Sequence, residues 1–540
     1  MPPDIRQITC LKTLTRFIVG KKRGGHLDEL KDLNLGGKLS IEHLQRVENP
    51  RDAKEANLVE KLNLRQLSLS WENESDLQKP EDVEKVLEAL KPHTNLKQLH
   101  ISGYKGDQFP SWMRDNILNN VVCIEISKCD KCSQLPPLAL LPFLRTLHLS
   151  NMSQLMYIDD HFQDSGMARG FPSLQSLEIE NLPSLQRFSR EDGRKLLPRL
   201  TSLRIVKCPK LTLQHLPSVE QLTVSKCNEV VLGSISNLKN LISLYIGSND
   251  ELNYLPEGTL LNLTSLKTLN ISWFTKLKCL PTEIGSLSSL EKLDIVRCYE
   301  LESFPEQGME GLKRLKYLSL ICCPEVVALP DGMKYLTSLC HLELDASKLE
   351  VLPDVLRYVP LQFMSISDCP NLESLPHWLG DLTSLQTLRI NFCPKLPSLP
   401  ASIQGLTMLQ KVCISACPEL EKRIEKDKGE DWYKIAHIPN VEVKYPWHSK
   451  ENCIPFGIVG APVGVETFLL LSESFGAPMG VETFVLLSES FGAPMGVETF
   501  VLLSESFGAP MGVETFLLLS ESFGAPMGVE TFVLLSESFY

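Results

Sequence analysis

The chain has 540 residues and a formal net charge of −12, with 54 Lys and Arg against 66 Asp and Glu. Ten of the glutamates lie from Glu466 to Glu537 in a tail without Lys, Arg or Asp, so the rest carries −12 + 10 = −2. Nucleic acid and anionic lipid normally bind to clustered Lys and Arg, and the nearly neutral body therefore argues against both as partners.

The N-terminus, MPPDIRQITCLKTL, contains no apolar run as long as that of a signal peptide. A stretch of about 18 uninterrupted apolar residues, as a membrane span requires, does not occur in the sequence. We therefore expect a cytoplasmic protein that has no membrane partner and whose 16 cysteines are reduced.

From about residue 64 onwards, one pattern recurs about every 24 residues: Leu, two residues, Leu, one residue, Leu or Ile. Apolar residues at alternate positions predict a strand with one buried face, and this period is the signature of leucine-rich repeats. One repeat cannot bury its apolar face alone, so we expect an α/β solenoid, a horseshoe in which every repeat adds a strand to a parallel concave sheet. The clear copies start at Leu64, Leu96, Leu144, Leu174, Leu200, Leu241, Leu266, Leu290, Leu315, Leu339 and Leu385, and looser copies start at Val121, Val219, Leu361 and Leu409.

A cysteine often follows the last aliphatic residue of the pattern by three positions. A small, weakly polar side chain there is expected to turn inward and to pack in a ladder. Most repeats continue to a Leu-Pro step, such as Leu280-Pro281 or Leu375-Pro376, after which we expect a short helical or irregular segment on the convex side. The ladder cysteines are Cys129, Cys208, Cys227, Cys298, Cys323, Cys369, Cys393 and Cys417.

Five stretches are more specific than the generic repeat. They are LKTLTRFIVG at 11–20, DAKEANLVEKLNLRQLSLSW at 52–71, VLEALKPHTNLKQLHISGYKGDQFPSWM at 86–113, CSQLPPLALLPFLRTLHL at 132–149 and GEDWYKIAHIPNVEV at 429–443. Together they resemble the leucine-rich-repeat region of plant coiled-coil nucleotide-binding leucine-rich-repeat disease-resistance proteins. The resemblance spans about residues 1–444, and it implies that the last stretch seals the C-terminal end of the repeats.

The resemblance also implies a nucleotide-binding domain in a longer form of the protein, with a GxxxxGK[ST] loop that cradles phosphate. This loop does not occur in the sequence, where Gly20-Lys21 is followed by Lys22 and Gly37-Lys38 by Leu39. Met1-Pro2 looks like the Leu-Pro step of an earlier repeat. We therefore expect a truncated receptor that lacks the nucleotide switch.

The domain organisation follows from the composition. Residues 1–444 are expected to form a leucine-rich-repeat domain of about fifteen or more repeats, and 445–459 a linker. Residues 460–539 contain five tandem copies of a low-complexity 16-residue unit, GAPMGVETFVLLSESF. Gly and Pro interrupt any regular element in each copy, so short helices and a disordered or aggregation-prone segment are both open interpretations of this tail.

We found no pattern that indicates catalysis, a cofactor or a metal. Cys129 and Cys132 form a CxxC pair, but a structural zinc site needs two further ligands at suitable spacing, and Cys129 already occupies the ladder position. The histidines are scattered without HExxH, and no nucleophile elbow occurs. We therefore expect a non-enzymatic protein without a cofactor.

The candidate site is the concave face, because the non-leucine residues of each strand point away from the core in parallel rows. Aromatic and Arg side chains are the usual anchors of protein interfaces. Arg204, Lys207 and Arg297 together indicate a weakly basic patch for an acidic partner. The candidate residues in or just after the strands are Trp71, His100, Tyr104, Lys128, His148, Arg204, Lys207, Tyr245, Trp273, Arg297, Arg389 and Phe392.

These observations favour a protein-binding recognition module. The resemblance implies a role in plant innate immunity, in which this face senses a pathogen effector or a guarded host protein. Two alternatives stay open: a non-functional fragment of a receptor gene, and a substrate adaptor for protein turnover, although the sequence contains no segment resembling an F-box.

Overall fold

The computed structural model describes residues 5–21, 24–72, 80–114, 116–159, 170–190 and 196–444, which belong to one compact unit. Met1-Pro2, the predicted linker 445–459 and the predicted tail 460–539 lie outside the described residues.

The core of the fold is an 18-stranded sheet in which every strand pairs in parallel with its neighbours. The order follows the chain, except that β7 and β9 leave the sheet and pair with each other. The strands are β1 Arg16–Ile18, β2 Gly37–Glu42, β3 Leu64–Ser70, β4 Gln98–Ser102, β5 Cys123–Ser127, β6 Thr146–Ser150, β7 Tyr157–Asp159, β8 Ser176–Glu180, β9 Arg187–Ser189, β10 Ser202–Val206, β11 Gln221–Ser225, β12 Ser243–Asn249, β13 Thr268–Phe274, β14 Lys292–Val296, β15 Tyr317–Ile321, β16 His341–Asp345, β17 Phe363–Ser367, β18 Thr387–Asn391, β19 Lys411–Ser415 and β20 Asn440–Lys444.

The pairing register places equivalent positions of successive repeats side by side. Leu203 lies beside Leu222, for example, and Ile205 beside Val224. These aliphatic residues are buried because alternate side chains of a strand point to the same face, and stacking the repeats joins the apolar faces into one core. The prediction of a leucine-rich-repeat solenoid with a parallel sheet is confirmed.

The ladder cysteines also lie where the pattern predicts. All eight are buried, and each thiol donates a hydrogen bond to the carbonyl two residues earlier, as Cys208 does to Val206 at 3.3 Å and Cys417 to Ser415 at 3.3 Å. The ladder therefore satisfies strand-exit carbonyls that face the core. In the repeat of β12 the position is occupied by Asn249, whose amide nitrogen donates to the carbonyl of Cys227 at 2.7 Å.

The opposite side of the solenoid consists of short helical segments, several of which begin directly after the Leu-Pro step, as expected. Proline fits this place because its fixed φ suits the start of a helical turn. The α-helices are α1 Pro50–Glu55, α2 Pro80–Ala89, α3 Glu229–Gly233, α4 Pro418–Arg423 and α5 Trp432–Ile435. The 3₁₀ helices are Ile5–Gln7, Leu27–Leu30, Leu44–Arg46, Leu58–Glu60, Ser111–Met113, Asn116–Leu118, Leu138–Leu140, Ile235–Asn237, Thr282–Ser286, Glu306–Gly311, Asp331–Tyr335, Asp354–Tyr358, His377–Asp381 and Ala401–Gly405.

Candidate protein-binding face

The concave face is formed by the strand residues that alternate with the core aliphatics. On β12, for example, Tyr245 lies between the buried Leu244 and Ile246 and is partly exposed. Five of the predicted residues occupy this middle position of a strand: His100, His148, Arg204, Tyr245 and Arg389.

Five more predicted residues lie two positions after the last aliphatic of the repeat pattern: Lys128, Lys207, Trp273, Arg297 and Phe392. Trp273 is the next-to-last residue of β13, and the other four directly follow their strands. Each has a left-handed backbone, with φ between 51° and 59°. Four of the backbone N–H groups donate to the next strand or its exit, as Lys207 does to Ser225 at 3.0 Å and Arg297 to Ile321 at 2.8 Å. This hydrogen bond offsets the strain of a conformation that costs a non-glycine residue roughly 1 to 2 kcal/mol.

The prediction for Trp71 and Tyr104 is wrong, because both side chains belong to the core. Tyr104 is 0% exposed and Trp71 is 4% exposed. The two rings meet edge to face at 5.4 Å between centroids, and the Tyr104 hydroxyl donates to the Gln108 carbonyl at 2.6 Å. Gly103 allows this packing, since a Cβ there would overlap the Trp71 carbonyl.

In the N-terminal part of the face, two histidines share one carboxylate across three neighbouring strands. His100 Nδ1 lies 3.4 Å from a carboxylate oxygen of Glu125, and His148 Nδ1 lies 3.6 Å from the other. Burial lowers the pKa of His100, an effect that Glu125 opposes and His148 reinforces. The lowered pKa favours the neutral imidazole of His100.

The predicted basic patch of Arg204, Lys207 and Arg297 is not one cluster. Arg204 lies in β10 and Lys207 directly follows it, whereas Arg297 follows β14, four strand spacings or roughly 19 Å away. The neighbour of Lys207 is instead Lys226, which has the same left-handed backbone after β11. The sequence reasoning overlooked Lys226, although its repeat position is the same.

Trp273 and Arg297 form a preordered pair at the strand exits of β13 and β14. The Arg297 guanidinium carbon lies 4.1 Å from the centre of the Trp273 ring, a cation–π contact, and the indole is 40% exposed. A large ring held by a cation loses little freedom on binding, which suits it to anchor a partner.

The most extensive arrangement on the face was not predicted. The rings of Tyr317, His341 and Phe363 stack across β15, β16 and β17, with centroids 4.2 and 4.0 Å apart and interplanar angles of 18° and 2°. Lys292 Nζ lies 4.6 Å from the centre of the Tyr317 ring, and the Arg389 guanidinium carbon lies 5.3 Å from that of Phe363. We call these five residues the aromatic row; only Arg389 was among the candidates.

The carboxylate of Glu343, in the middle of β16, holds two rings of the aromatic row in place. Glu343 accepts a hydrogen bond from the Tyr317 hydroxyl at 2.9 Å, and His341 Nε2 lies 3.1 Å from its other oxygen. Burial alone would raise the pKa of Glu343, but the bonds with His341 and Tyr317 outweigh burial and lower this pKa. Glu343 is therefore ionised at neutral pH and orients two of the three rings.

The remaining predicted residues are arranged singly. Tyr245 folds over Gly247, where a Cβ would lie 2.6 Å from the Tyr245 hydroxyl oxygen. Phe392 lines a shallow groove of about 330 Å³ together with Pro370, Pro394 and Ala416. Lys128 lies next to the glutamate and histidine cluster, at the exit of β5.

The CxxC cysteines are both buried, and burial raises the pKa of the Cys129 thiol to about 12. No group of three His, Cys, Asp or Glu residues in the described ranges is arranged to hold a metal ion. Within the same ranges, the helices are all too short or too polar to span a bilayer.

Comparison with known proteins gives a family match and several relatives. Residues 27–152 match the family of R13L1/DRL21 leucine-rich repeats. The chain is 43% identical over 285 residues to RGA1 of Solanum bulbocastanum, covering 53% of this chain and 28% of RGA1. It is 42% identical over 285 residues to the disease resistance protein RGA2 of the same species, covering 52% of this chain and 27% of RGA2.

More distant matches extend along the repeats. RPP13-like protein 1 of Arabidopsis thaliana, like RGA1, is named for disease resistance; it is 32% identical over 357 residues, covering 61% of this chain and 31% of the relative. A solved leucine-rich-repeat protein of Leptospira interrogans covers 74% of this chain and 98% of its own, at 22% identity and a TM-score of 0.37. The chain thus spans about a quarter of the length of the first two relatives. The matches confirm the resemblance to the leucine-rich-repeat region of plant disease resistance proteins.

Proposed function

We propose that this chain is a protein-recognition module in plant defence, which binds a pathogen effector or a guarded host protein on its concave face. Its relatives are named for disease resistance, which supports the biological role. The aromatic row carries the proposal for the binding mode. Five large side chains on neighbouring strands hold one another in place before any partner arrives.

The physical argument is one of preorganisation. Ordering a rotamer-rich side chain at an interface costs roughly 0.5 to 1.5 kcal/mol, and this cost is reduced when the side chain is already fixed. The aromatic row and the Trp273–Arg297 pair present aromatic, Lys and Arg side chains that are fixed in this way. We further propose that the module acts in the cytoplasm and, in a longer form, beside a nucleotide-binding domain.

The proposal is tested by comparing partner capture with two matched double variants. Trp273→Asn with Arg297→Asn removes the concave pair, and asparagine tolerates the left-handed backbone of both positions. Tyr358→Asn with Arg357→Asn removes an equivalent ring and guanidinium pair, 5.7 Å apart, from the 3₁₀ segment Asp354–Tyr358 on the opposite side.

Each purified protein is incubated with extract from pathogen-challenged leaves, and bound proteins are identified by mass spectrometry. We expect at least one partner that the wild type and the Tyr358 variant retain equally and that the Trp273 variant loses by about tenfold or more. If every captured protein binds all three chains equally well, the Trp273–Arg297 pair is not part of the recognition surface.

A further inference from the structure

A local excess of positive charge indicates a second candidate binding site, separate from the aromatic row. Residues 199–229, which include β10 and β11, contain Arg199, Arg204, Lys207, Lys210 and Lys226 against two acids, Glu220 and Glu229, so their net charge is 5 − 2 = +3. The five cations are exposed. This excess stands out in a chain whose total charge is −12.

A shallow, open cavity of about 480 Å³ lies on the surface just beyond the exits of these two strands. Two of its walls are cationic, formed by Arg187 and Lys210, and Pro209 and Val230 add apolar surface. The left-handed Lys207 and Lys226 stand two residues before the lining residues Pro209 and Asn228. The like charges of Lys207 and Lys226, on neighbouring strands, repel each other, and a bound anionic ligand would reduce this repulsion.

The other lining residues are hydrogen-bond donors. Gln186 Oε1 accepts from the Tyr157 hydroxyl at 3.4 Å, and Asn228 Oδ1 accepts from the Val230 N–H at 3.2 Å. Both carbonyl oxygens are thus used within the protein, which leaves the amide NH₂ groups to donate. Thr212 adds a hydroxyl, and none of the seven lining residues is acidic.

Arg, Lys, amide NH₂ and hydroxyl groups around one cavity select a ligand that carries several acceptor oxygens and negative charge. A phosphate group has both properties, and guanidinium binds it through two parallel hydrogen bonds. We propose that the cavity lined by Arg187, Lys210 and Asn228 binds a phosphorylated side chain of the partner protein.

This inference rests on the proposed function in that the ligand belongs to a protein partner. The two are tested separately, because the phosphate site is probed with a synthetic peptide and needs no captured partner. The probes are a heptapeptide Gly-Ser-Glu-phosphoSer-Glu-Ser-Gly, its unphosphorylated form and inorganic phosphate, each titrated calorimetrically into the full chain.

We expect the phosphorylated peptide to bind at least about tenfold more tightly than the unphosphorylated one, and Lys210→Gln to remove most of this difference. Lys239→Gln is the matched control, since Lys239 is exposed nearby in the chain but does not line the cavity. Binding should weaken as salt is raised from about 50 to 200 mM, because the interaction is charge-assisted. Circular dichroism establishes that both variants are folded.

The outcomes separate the sources of the phosphate. Binding of the phosphopeptide more tightly than of inorganic phosphate supports a protein-borne ligand. If inorganic phosphate binds as tightly as the peptide, the cavity recognises a free anion, and the proposed source is overturned. Equal weakening by Lys210→Gln and Lys239→Gln, or equal affinity for the two peptides, overturns the site itself.

Discussion

At the scale of single residues, the strand exits share a left-handed backbone. The repeat pattern placed Lys207, Arg297 and Phe392 correctly at the end of their strands. It could not show that this position has a left-handed backbone, because residues as different as Lys, Trp and Ala adopt it here. The conformation is imposed by hydrogen bonding to the next strand rather than by residue type.

The strain at these exits gives a prediction for Ala416, whose φ is 54°. Glycine adopts this conformation without a Cβ clash, so Ala416→Gly should relieve roughly 1 to 2 kcal/mol of strain. Glycine is also more flexible than alanine in the unfolded chain, which lowers the free energy of unfolding by roughly 0.5 to 1 kcal/mol. We expect a net stabilisation of about 0.5 kcal/mol in urea unfolding.

Ala436 provides a control of opposite sign. It is exposed at the end of α5 with a right-handed backbone, φ −59° and ψ −23°. Ala436→Gly should therefore destabilise by roughly 0.5 to 1 kcal/mol. If both substitutions destabilise alike, the left-handed residues carry no strain that glycine can release.

Trp71 and Tyr104 were misplaced for a different reason. Large aromatic residues are anchors at interfaces and also the largest core residues, and a sequence pattern does not distinguish the two. Their burial depends on Gly103 and on contact with Phe109. Such local packing between segments is not encoded in the spacing of the leucines.

At the scale of elements, the aromatic row couples neighbouring strands, and we expect it to contribute to stability as well as to binding. His341 lies in two stacked pairs. Each such pair is worth about 0.5 to 1.5 kcal/mol beyond buried area, so His341→Ala should destabilise by roughly 1 to 3 kcal/mol. Urea unfolding followed by circular dichroism measures this change.

His377→Ala is the matched control for this prediction, because His377 is exposed at the start of a 3₁₀ helix. We expect a change within about 0.5 kcal/mol there. Equal effects of the two substitutions would mean that the stacked rings contribute nothing beyond ordinary surface residues.

A buried lysine clamps two repeats together near the N-terminus. Lys61 Nζ donates to the carbonyls of Leu30 at 2.7 Å and Leu33 at 2.9 Å, and burial lowers the pKa of Lys61 to about 8. Between about pH 8 and pH 10.5 the unfolded lysine holds a proton that the folded one has released, so unfolding takes up a proton. Lys61 by itself therefore makes stability rise with pH across this window, whereas buried thiols with raised pKa, such as Cys129 and Cys208, make it fall; the slope should be more positive in the wild type than in a variant without Lys61.

Urea unfolding at pH 8, 9 and 10 tests this slope against Lys61→Met and Lys239→Met. The first variant should lose the contribution of Lys61, and the second, at an exposed lysine, should keep it. A slope that is the same in Lys61→Met as in the wild type would show that another group causes it.

The element pattern could be predicted for most of the sheet, because fifteen copies of the repeat pattern were visible in the sequence. The terminal strands β1, β2 and β20 were not predicted. They contain only part of the repeat pattern, such as the alternating pair Leu39 and Ile41 or the pair Val441 and Val443. The aromatic row was missed because Tyr317, His341 and Phe363 stand one residue before the first buried aliphatic of their strands. The predicted candidates lie between and after the aliphatics instead.

At the scale of the whole molecule, the solenoid needs an end that covers its last apolar face. Residues 418–444 supply it through α4, α5 and β20, with Leu420, Ile424 and Ile435 buried. This agrees with the seal that the sequence of 429–443 indicated. Asp431, whose side chain is only 3% exposed, holds the segment by ion pairs with Arg423 at 2.9 Å and Lys434 at 2.8 Å.

Asp431→Ala should loosen this end of the solenoid. Burial would raise the pKa of Asp431, but hydrogen bonds from Arg423 and Lys434 outweigh burial and lower the pKa. Removing the carboxylate leaves a mostly buried Lys434 without its counter-charge, at a cost of about 3 kcal/mol. Hydrogen exchange should become faster in β19 and β20 and stay unchanged in β4.

Protonation of Asp431 should have the same effect as the substitution. Because its folded pKa is lowered, the stabilisation is present above the unfolded pKa of about 4 and is lost as the pH falls through the folded value. Uniform acceleration of exchange along all strands at low pH, without preference for β19 and β20, would contradict a local role.

Because each strand of the main sheet bonds only to the strand before it and the strand after it, distant parts of the face share no direct contact. The cluster of His100, Glu125 and His148 ends at β6, and the aromatic row begins at β14, six rungs further on. Substitutions that reshape one of them leave the geometry of the other intact. If the concave face binds a partner as we propose, natural selection can alter the contacts of one region without changing those of the other.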